Sequence, residues 1–136
     1  MQTTSPERQG ETGGAIGSSA VLGPGVPILR VFDVAKAYEF YLDFLGFTLD
    51  WEHRFSPDLP LYAQVSRSGL KLHLSEHHGD GTPGTVVYIP VENPTALFAE
   101  LSAKAYRYAR PSPCAAEADI ADPFGNVLRF AKWSEK

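Results

Sequence analysis

The stretch KLHLSEHHGD, residues 71–80, decides how this chain is built. Its two leucines alternate with lysine, histidine and serine, a pattern typical of a β-strand with one buried face and one polar face. The charged residues that follow, and the Gly/Pro segment at 79–84, indicate that the strand ends in a loop. Three of the four histidines lie in this stretch, and one of them stands beside a cation and a hydroxyl on the polar face.

The composition predicts a single soluble domain, because the chain has 136 residues, 43% of them hydrophobic and 21% charged. A net charge of −4 argues against a general nucleic-acid-binding protein, which needs a basic face. No apolar run approaches the ~18 residues of a membrane span, and no secretory signal is evident, so we expect no membrane partner and a cytoplasmic location. Cys114, the single cysteine, is expected to be a bystander thiol.

The first half of the chain predicts a tail, a helix and four strands. Residues 1–25 are rich in Gly, Ser and Thr without a sustained period, which predicts a disordered tail before a domain at 26–136. Asp33 is the expected N-cap of an amphipathic helix, and Gly46 its C′ glycine. The strands expected around this helix are Pro27–Val31, Thr48–Phe55, Leu61–Ser66 and Leu70–Ser75.

A similar order of elements follows the loop at 79–84. Asn93 and Pro94 predict the start of a second helix. A shift of 59 residues, which places Asp33 on Glu92, aligns the two halves. The strands expected here are Thr85–Val91, Val127–Ala131 and two weaker candidates, Arg107–Arg110 and Ala116–Ala121.

This repeat predicts an α+β fold of two βαβββ modules, at about 26–80 and 84–132. Neither module is large enough to bury its own sheet face, so the two must associate, either within the chain or between chains. One α+β sheet without internal symmetry is the alternative.

Three short motifs carry a family resemblance: LRVFD at 29–33, FYLDFLGF at 40–47 and DPFGN at 122–126. In this order they resemble the vicinal oxygen chelate superfamily, which includes glyoxalase I, extradiol dioxygenases and bleomycin-resistance proteins. The segments 51–55 and 72–81 are most similar to the bleomycin-resistance type of glyoxalase superfamily protein. The resemblance implies two modules that form a cupped mixed sheet with the helices outside, and a homodimer with ligand clefts where two chains meet.

The resemblance also says where a divalent metal would be held in the catalytic branches of the family. The corresponding positions here are Val26, His73, Thr85 and Arg129. Of these residue types, only histidine is a good ligand, whereas arginine would place a fixed positive charge beside the ion. We therefore expect no catalytic metal and no cofactor. A looser site that uses His77, His78 and Asp80 is the open alternative, as is a simple solvated loop.

The predicted hairpin of the third and fourth strands places several polar side chains on one face. With a two-residue turn at Arg67 and Ser68, Tyr62 would pair with His73. The side chains that would then share a face are Tyr62, Gln64, Lys71 and His73. The resemblance adds Arg129 to this set. Such a face would line a pocket if the sheet curves, although an open sheet in water would also be polar.

The preceding strand alternates aromatic and charged residues, because Trp51, His53 and Phe55 fall on one side. Aromatic rings that stack on flat heterocycles would provide affinity without chemistry. The alternative is that Trp51 and Phe55 belong to the core. Glu76 and Asp80 would lie at the mouth, either facing a cationic ligand tail or simply solvated.

These observations favour a binding protein of the bleomycin-resistance type, with a role in antibiotic resistance, that sequesters a bleomycin-like or other planar natural product. The predicted ligand-binding residues are Trp51, Phe55, Tyr62, Gln64, Lys71, His73, Glu76 and Arg129. The alternative is an enzyme of the same fold that uses His73 as acid–base and Arg129 as anion stabiliser. A domain whose cup is closed by side chains is a third possibility. The segment 111–115 is shorter than the cleft-walling loop of the family, which bears on the identity of the ligand.

Overall fold

The chain folds into two small sheet modules, and the computed structural model describes residues 17–113 and 115–133. The first module consists of β1 (Ile28–Arg30), α1 (Val34–Tyr38), a π-helical segment (Glu39–Phe44), β2 (Thr48–His53), β3 (Tyr62–Arg67) and β4 (Leu70–Ser75). The second consists of β5 (Val86–Val91), α2 (Pro94–Ala103), β6 (Glu117–Ala121) and β7 (Val127–Lys132). Residues 17–25 are exposed and lie in no helix or strand, whereas most of the predicted tail, and Cys114, fall outside the described residues.

Both sheets are mixed. The first has the order β1-β4-β3-β2 with β1 parallel to β4, and the second has the order β5-β7-β6 with β5 parallel to β7. The two modules share one core, whose largest side chains include Phe40, Phe44 and Phe98. The predicted α+β class with two related modules is confirmed. In the described part of the chain, no helix is long and apolar enough to cross a bilayer.

The strand predicted at Arg107–Arg110 was wrong, since its first two residues lie in a turn and its last two in irregular structure. The second module therefore has three strands in the described residues. Side-chain contacts hold this segment in place, whereas backbone hydrogen bonds to a neighbouring strand were expected. The ring of Tyr106 stacks on Phe44 with centroids 4.7 Å apart, and its hydroxyl donates to Glu39 at 3.2 Å. The segment thus packs against the first helix and does not pair with the edge of the sheet.

The first helix begins and ends as predicted but changes its form midway. The side chain of Asp33 accepts a hydrogen bond from the backbone N–H of Lys36 and caps the N-terminus, and Gly46 has φ +77°. Between them, the second half is π-helical where an α-helix was expected, with Leu45 N–H bonded to Phe40 C=O at 2.9 Å. The wider turn buries the neighbours Phe40 and Tyr41 together.

The hairpin of β3 and β4 has a different turn from the predicted one. Ser68 and Gly69 form it, with φ +54° and +85°, the signs that a tight type I′ hairpin turn requires. As a result Tyr62 pairs with Ser75, and Gln64 pairs with His73. The register error is two residues, and because side chains alternate with a period of two, every side chain keeps its predicted face.

The repeat between modules also has a corrected register. The N-caps Asp33 and Asn93 are 60 residues apart. Ile28 and Tyr88, the strand partners of His73 and Arg129, are also 60 residues apart, and the family resemblance makes His73 and Arg129 counterparts. The predicted shift of 59 was therefore wrong by one. Since one residue changes the face of a strand, Thr85 is not the counterpart of Val26.

Candidate functional site

The open face of the first sheet carries the candidate site. A β-bulge in β2 between Leu49 and Trp51 resets the alternation, so that Trp51 pairs with Gln64 and His53 pairs with Tyr62. His73 lies on the other side of Gln64 in the next strand. The strand β2 ends at His53, two residues earlier than predicted, and Phe55 follows it in a loop.

Aromatic rings cover much of this face. Trp51 and Tyr62 lie nearly parallel, with 6.0 Å between centroids and 12° between planes, and His73 meets both edge-on at 5.4 and 5.1 Å. Trp51 is 43% exposed and Phe55 78% exposed, so the alternative that these two rings belong to the core was wrong. An open depression of about 380 Å³ is lined by Trp51, His53, Phe55, Tyr62, His77 and Asp80.

Two of these rings, Tyr62 and His73, belong to a series of hydrogen bonds that runs across the strands. Tyr62 Oη lies 2.7 Å from His73 Nδ1, and His73 Nε2 lies 3.0 Å from Gln64 Oε1. Gln64 Nε2 donates to Asp50 Oδ2 at 3.0 Å, and Ser66 Oγ donates to Asp50 Oδ1 at 3.0 Å. Because the Gln64 amide nitrogen is committed to Asp50, its oxygen faces the imidazole. His73 therefore carries its proton on Nε2 and accepts from Tyr62 at Nδ1.

The surroundings of the hydrogen-bonded side chains decide which of them carry a charge. Burial lowers the pKa of His73 below its ordinary value and raises the pKa of Tyr62, so both are neutral near pH 7. Hydrogen bonds from Gln64 and then Ser66 lower the pKa of Asp50, which remains a carboxylate. The positive charge of Lys71 acts on the same group.

Sequence reasoning missed Asp50. Strict alternation along a regular strand puts Asp50 on the face opposite to Trp51. The bulge brings its carboxylate to the same face as Gln64 and Ser66, within 3.0 Å of both. Nothing in the local pattern indicates a bulge, since the residue before a tryptophan in a β-run has no special composition.

The other predicted residues lie apart from this cluster. Arg129 is on β7 of the second sheet, where its guanidinium forms two hydrogen bonds of 2.9 and 3.0 Å with Asp119. No hydrogen bond or ring contact in the described residues joins it to His73. Glu76 Oε1 accepts from Leu61 N–H at 3.0 Å and so supports the loop before β3. Asp80, by contrast, lines the depression.

The positions that would hold the family's metal do not fit a divalent ion. Both nitrogens of His73 are engaged, and Arg129 is cationic. Val26 and Val86, its counterpart at the corrected shift of 60, have no side-chain donor atom. Thr85, the position predicted in the second module, donates from Oγ1 to Thr82 C=O at 2.6 Å. Within residues 17–113 and 115–133, no three His, Cys, Asp or Glu side chains are grouped to hold a metal, and this includes the set of His77, His78 and Asp80.

A larger cavity of about 490 Å³ lies between the modules. Apolar residues that follow the first helix, and others from β5 and α2, line most of it, together with Leu70, Phe130 and Trp133. The ion pair of Arg67 with Glu100, at 2.9 Å, forms part of its wall. None of the predicted ligand-binding residues lines this cavity.

Two related sheet modules around one core define an α+β protein with an open aromatic face. A family model described as "Glyoxalase superfamily protein" matches residues 10–136, so the chain belongs to the glyoxalase superfamily. The predicted family resemblance is thereby confirmed. No curated protein matches the chain.

Solved structures share the fold. A bleomycin-binding protein from bleomycin-producing Streptomyces verticillus, complexed with copper(II)-bleomycin, is 29% identical; the match covers 85% of this chain and 99% of that chain with a TM-score of 0.62. TnmS3, an antibiotic binding protein from Streptomyces sp. CB03234, is 19% identical, with coverage of 85% and 100% and a TM-score of 0.57. A bleomycin resistance determinant encoded on the transposon Tn5 is 14% identical, with coverage of 84% and 100% and a TM-score of 0.61. The last two similarities concern the fold alone.

Proposed function

We propose that this protein binds a small molecule, a bleomycin-like or other planar natural product, and sequesters it without changing it chemically. The observation that carries the proposal is the pair of Trp51 and Tyr62, whose parallel rings lie on an open sheet face. Flat aromatic surfaces bind flat ligands through buried area and stacking, and they need no reactive group.

The state of His73 supports binding over catalysis. Its Nδ1 accepts from Tyr62, and its Nε2 donates to Gln64, so neither nitrogen is available to a substrate without breaking a bond. Arg129, the partner that an enzymatic role would need, is paired with Asp119 on the other sheet. A confirmed substrate whose turnover falls in His73→Ala would favour the enzymatic alternative.

The proposal includes a homodimer, because one open face cannot enclose a ligand. The second sheet has an open face of its own, on which Val86 is 51% exposed and Tyr88 60% exposed. In the proposed dimer, the first sheet of one protomer faces the second sheet of its partner, and two clefts result. Sedimentation equilibrium tests this part: a mass twice 14.9 kDa is expected, and a monomer at every concentration would remove the two-chain cleft.

We place this activity in the cytoplasm, where a sequestering protein would meet an incoming or newly made antibiotic and confer resistance. The 29% identity to a bleomycin-binding protein from a bleomycin producer supports the ligand-binding part of this proposal.

Calorimetric titration tests the proposal. Metal-free bleomycin and copper(II)-bleomycin are each titrated into protein that has been treated with EDTA and dialysed. We expect saturable binding at about one ligand per chain, in the micromolar range or tighter. Trp51→Ala should weaken binding by about tenfold or more, as loss of an aromatic anchor does.

Trp133→Ala is the matched control, because Trp133 is also exposed, at 55%, but lines the other cavity. If neither form of bleomycin binds, the antibiotic is not the ligand. Equal losses in both tryptophan variants would contradict a site at Trp51.

A further inference from the structure

We infer that the depression beside Trp51 is a subsite for an organic cation, such as a quaternary or protonated ammonium group of the ligand. This inference rests on the proposed function, since it assigns one part of the same binding face. The depression is lined by five aromatic rings and one carboxylate: Trp51, His53, Phe55, Tyr62, His77 and Asp80.

The rings meet at angles that expose both faces and edges. His53 and Phe55 pack edge-on at 4.9 Å, and Tyr62 and His77 lie 6.2 Å apart at 62°. The rings come from β2, β3 and two loops, so they surround the depression from several directions. Faces of Trp, Tyr and Phe attract a cation through the ring quadrupole, and clustered aromatic rings recognise quaternary ammonium groups in this way.

The loop after β4 holds Asp80 against this cluster. Ser75, which is buried, donates from Oγ to Asp80 Oδ2 at 2.9 Å and accepts from His77 N–H at 3.0 Å. Asp80 N–H donates to His77 C=O at 3.1 Å. Among the described residues, no donor bonds Asp80 Oδ1. The carboxylate is thus positioned by one oxygen, and the other can face a ligand.

The neighbouring charges leave the depression negative. Arg54 donates to Leu59 C=O at 2.6 Å and forms an ion pair of 3.7 Å with Glu76. The charges of Arg54 and Glu76 therefore offset each other. The charge of Lys71 acts on Asp50. Of the two acidic residues in the loop, the structure therefore assigns Asp80 to the ligand and Glu76 to the fold.

Two small probes test the subsite on the full chain. Choline carries a trimethylammonium group, and 3,3-dimethylbutan-1-ol is its neutral isostere. Each is titrated at constant ionic strength and pH 8, above the range in which histidines generally protonate. The indole N–H signals of Trp51 and Trp133 are followed by NMR, after assignment with Trp133→Phe.

We expect choline to shift the Trp51 signal saturably, with an affinity about tenfold higher than that of the neutral isostere. The Trp133 signal should stay unchanged. Equal affinities would overturn the inference, because the depression would then select shape and not charge. Absence of a saturable Trp51 response to choline would overturn it as well.

Asp80→Asn removes the charge, while its amide oxygen can still accept from Ser75. We expect about a tenfold loss of choline affinity and no change for the isostere. Asp43→Asn, on the helical segment, is the control with the same change in net charge. Choline binding that is unaffected by Asp80→Asn would contradict the assigned carboxylate.

The two proposals can fail separately. If bleomycin binds but choline is not preferred over its isostere, the sequestering function stands without the cation subsite. If choline binds through Asp80 but bleomycin does not bind, the subsite stands and the ligand is a different cation.

Discussion

The hydroxyl of Tyr41 donates a hydrogen bond of 2.7 Å to Oδ2 of Asp122, 81 residues further along the chain. Tyr41 belongs to the segment FYLDFLGF and Asp122 to the turn DPFGN, so this bond joins two of the three motifs that carry the family resemblance. The other oxygen of Asp122 accepts from the N–H groups of Phe124 and Asn126. A buried carboxylate with donors on both oxygens locks the helix to the turn.

Tyr41→Phe should destabilise the protein by about 1–3 kcal/mol, because Asp122 remains buried and loses a donor. Urea denaturation measures the free energy of unfolding. Tyr108→Phe, at an exposed position outside the two sheets, is the control and should change it little. In a double-mutant cycle with Asp122→Asn, strictly additive losses would contradict the coupling.

Stability should fall steeply at alkaline pH. Burial, and then the charge of Asp122, raise the pKa of Tyr41 above its ordinary value. A tyrosine whose pKa is higher in the folded than in the unfolded state contributes to stability. This contribution is complete below about pH 10, the unfolded-state pKa, and is lost as the pH rises towards the folded-state pKa. Tyr106, whose pKa burial raises to about 12, acts in the same direction. In Tyr41→Phe the alkaline slope should be shallower, and an unchanged slope would count against this assignment.

NMR should find His73 neutral and protonated on Nε2 at pH 7. Burial lowers its pKa, so its contribution to stability is present above the unfolded-state pKa and is lost as the pH falls through the folded-state value. Gln64→Glu should raise the pKa of His73, because a carboxylate would then accept from Nε2. A proton on Nδ1 in the wild type would refute the proposed chain of hydrogen bonds.

Gly81→Ala should be more destabilising than Gly84→Ala. Both glycines have positive φ, at +66° and +91°, so both substitutions carry the same type of backbone strain. A Cβ on Gly81 would lie 2.7 Å from Ile28 C=O, whereas a Cβ on Gly84 meets nothing within 4 Å. Thermal unfolding measures the difference, and equal losses would show that the loop is not packed on β1. Since Gly81 follows Asp80, its substitution should also weaken choline binding.

Glu100→Gln should have a small effect that depends on salt. The side chains of Arg67 and Glu100 are 32% and 40% exposed, so solvent screens their ion pair and its contribution is about 0.5 kcal/mol. Urea denaturation at low and high salt should show the loss shrinking as salt increases. A loss that is independent of salt would point to the hydrogen bonds of the pair and not to its charges.

Much of the fold could be predicted because its signals are local. Capping by Asp33, the positive φ of Gly46 and the strand Leu70–Ser75 each depend on a few adjacent residues. The strand predicted at Arg107–Arg110 failed for the opposite reason. Its backbone is decided by the stacking of Tyr106 on Phe44, a contact between residues that are far apart in the chain.

The sequence by itself determined which side chains of β3 and β4 share the open face. Alternation with a period of two placed Tyr62, Gln64, Lys71 and His73 together, and a register error of two residues left this result intact. Only the tertiary structure decided what these side chains bond to. The bulge that brings Asp50 to Gln64, and the loop that brings Asp80 and not Glu76 to the aromatic rings, depend on contacts between strands and loops that no local pattern encodes.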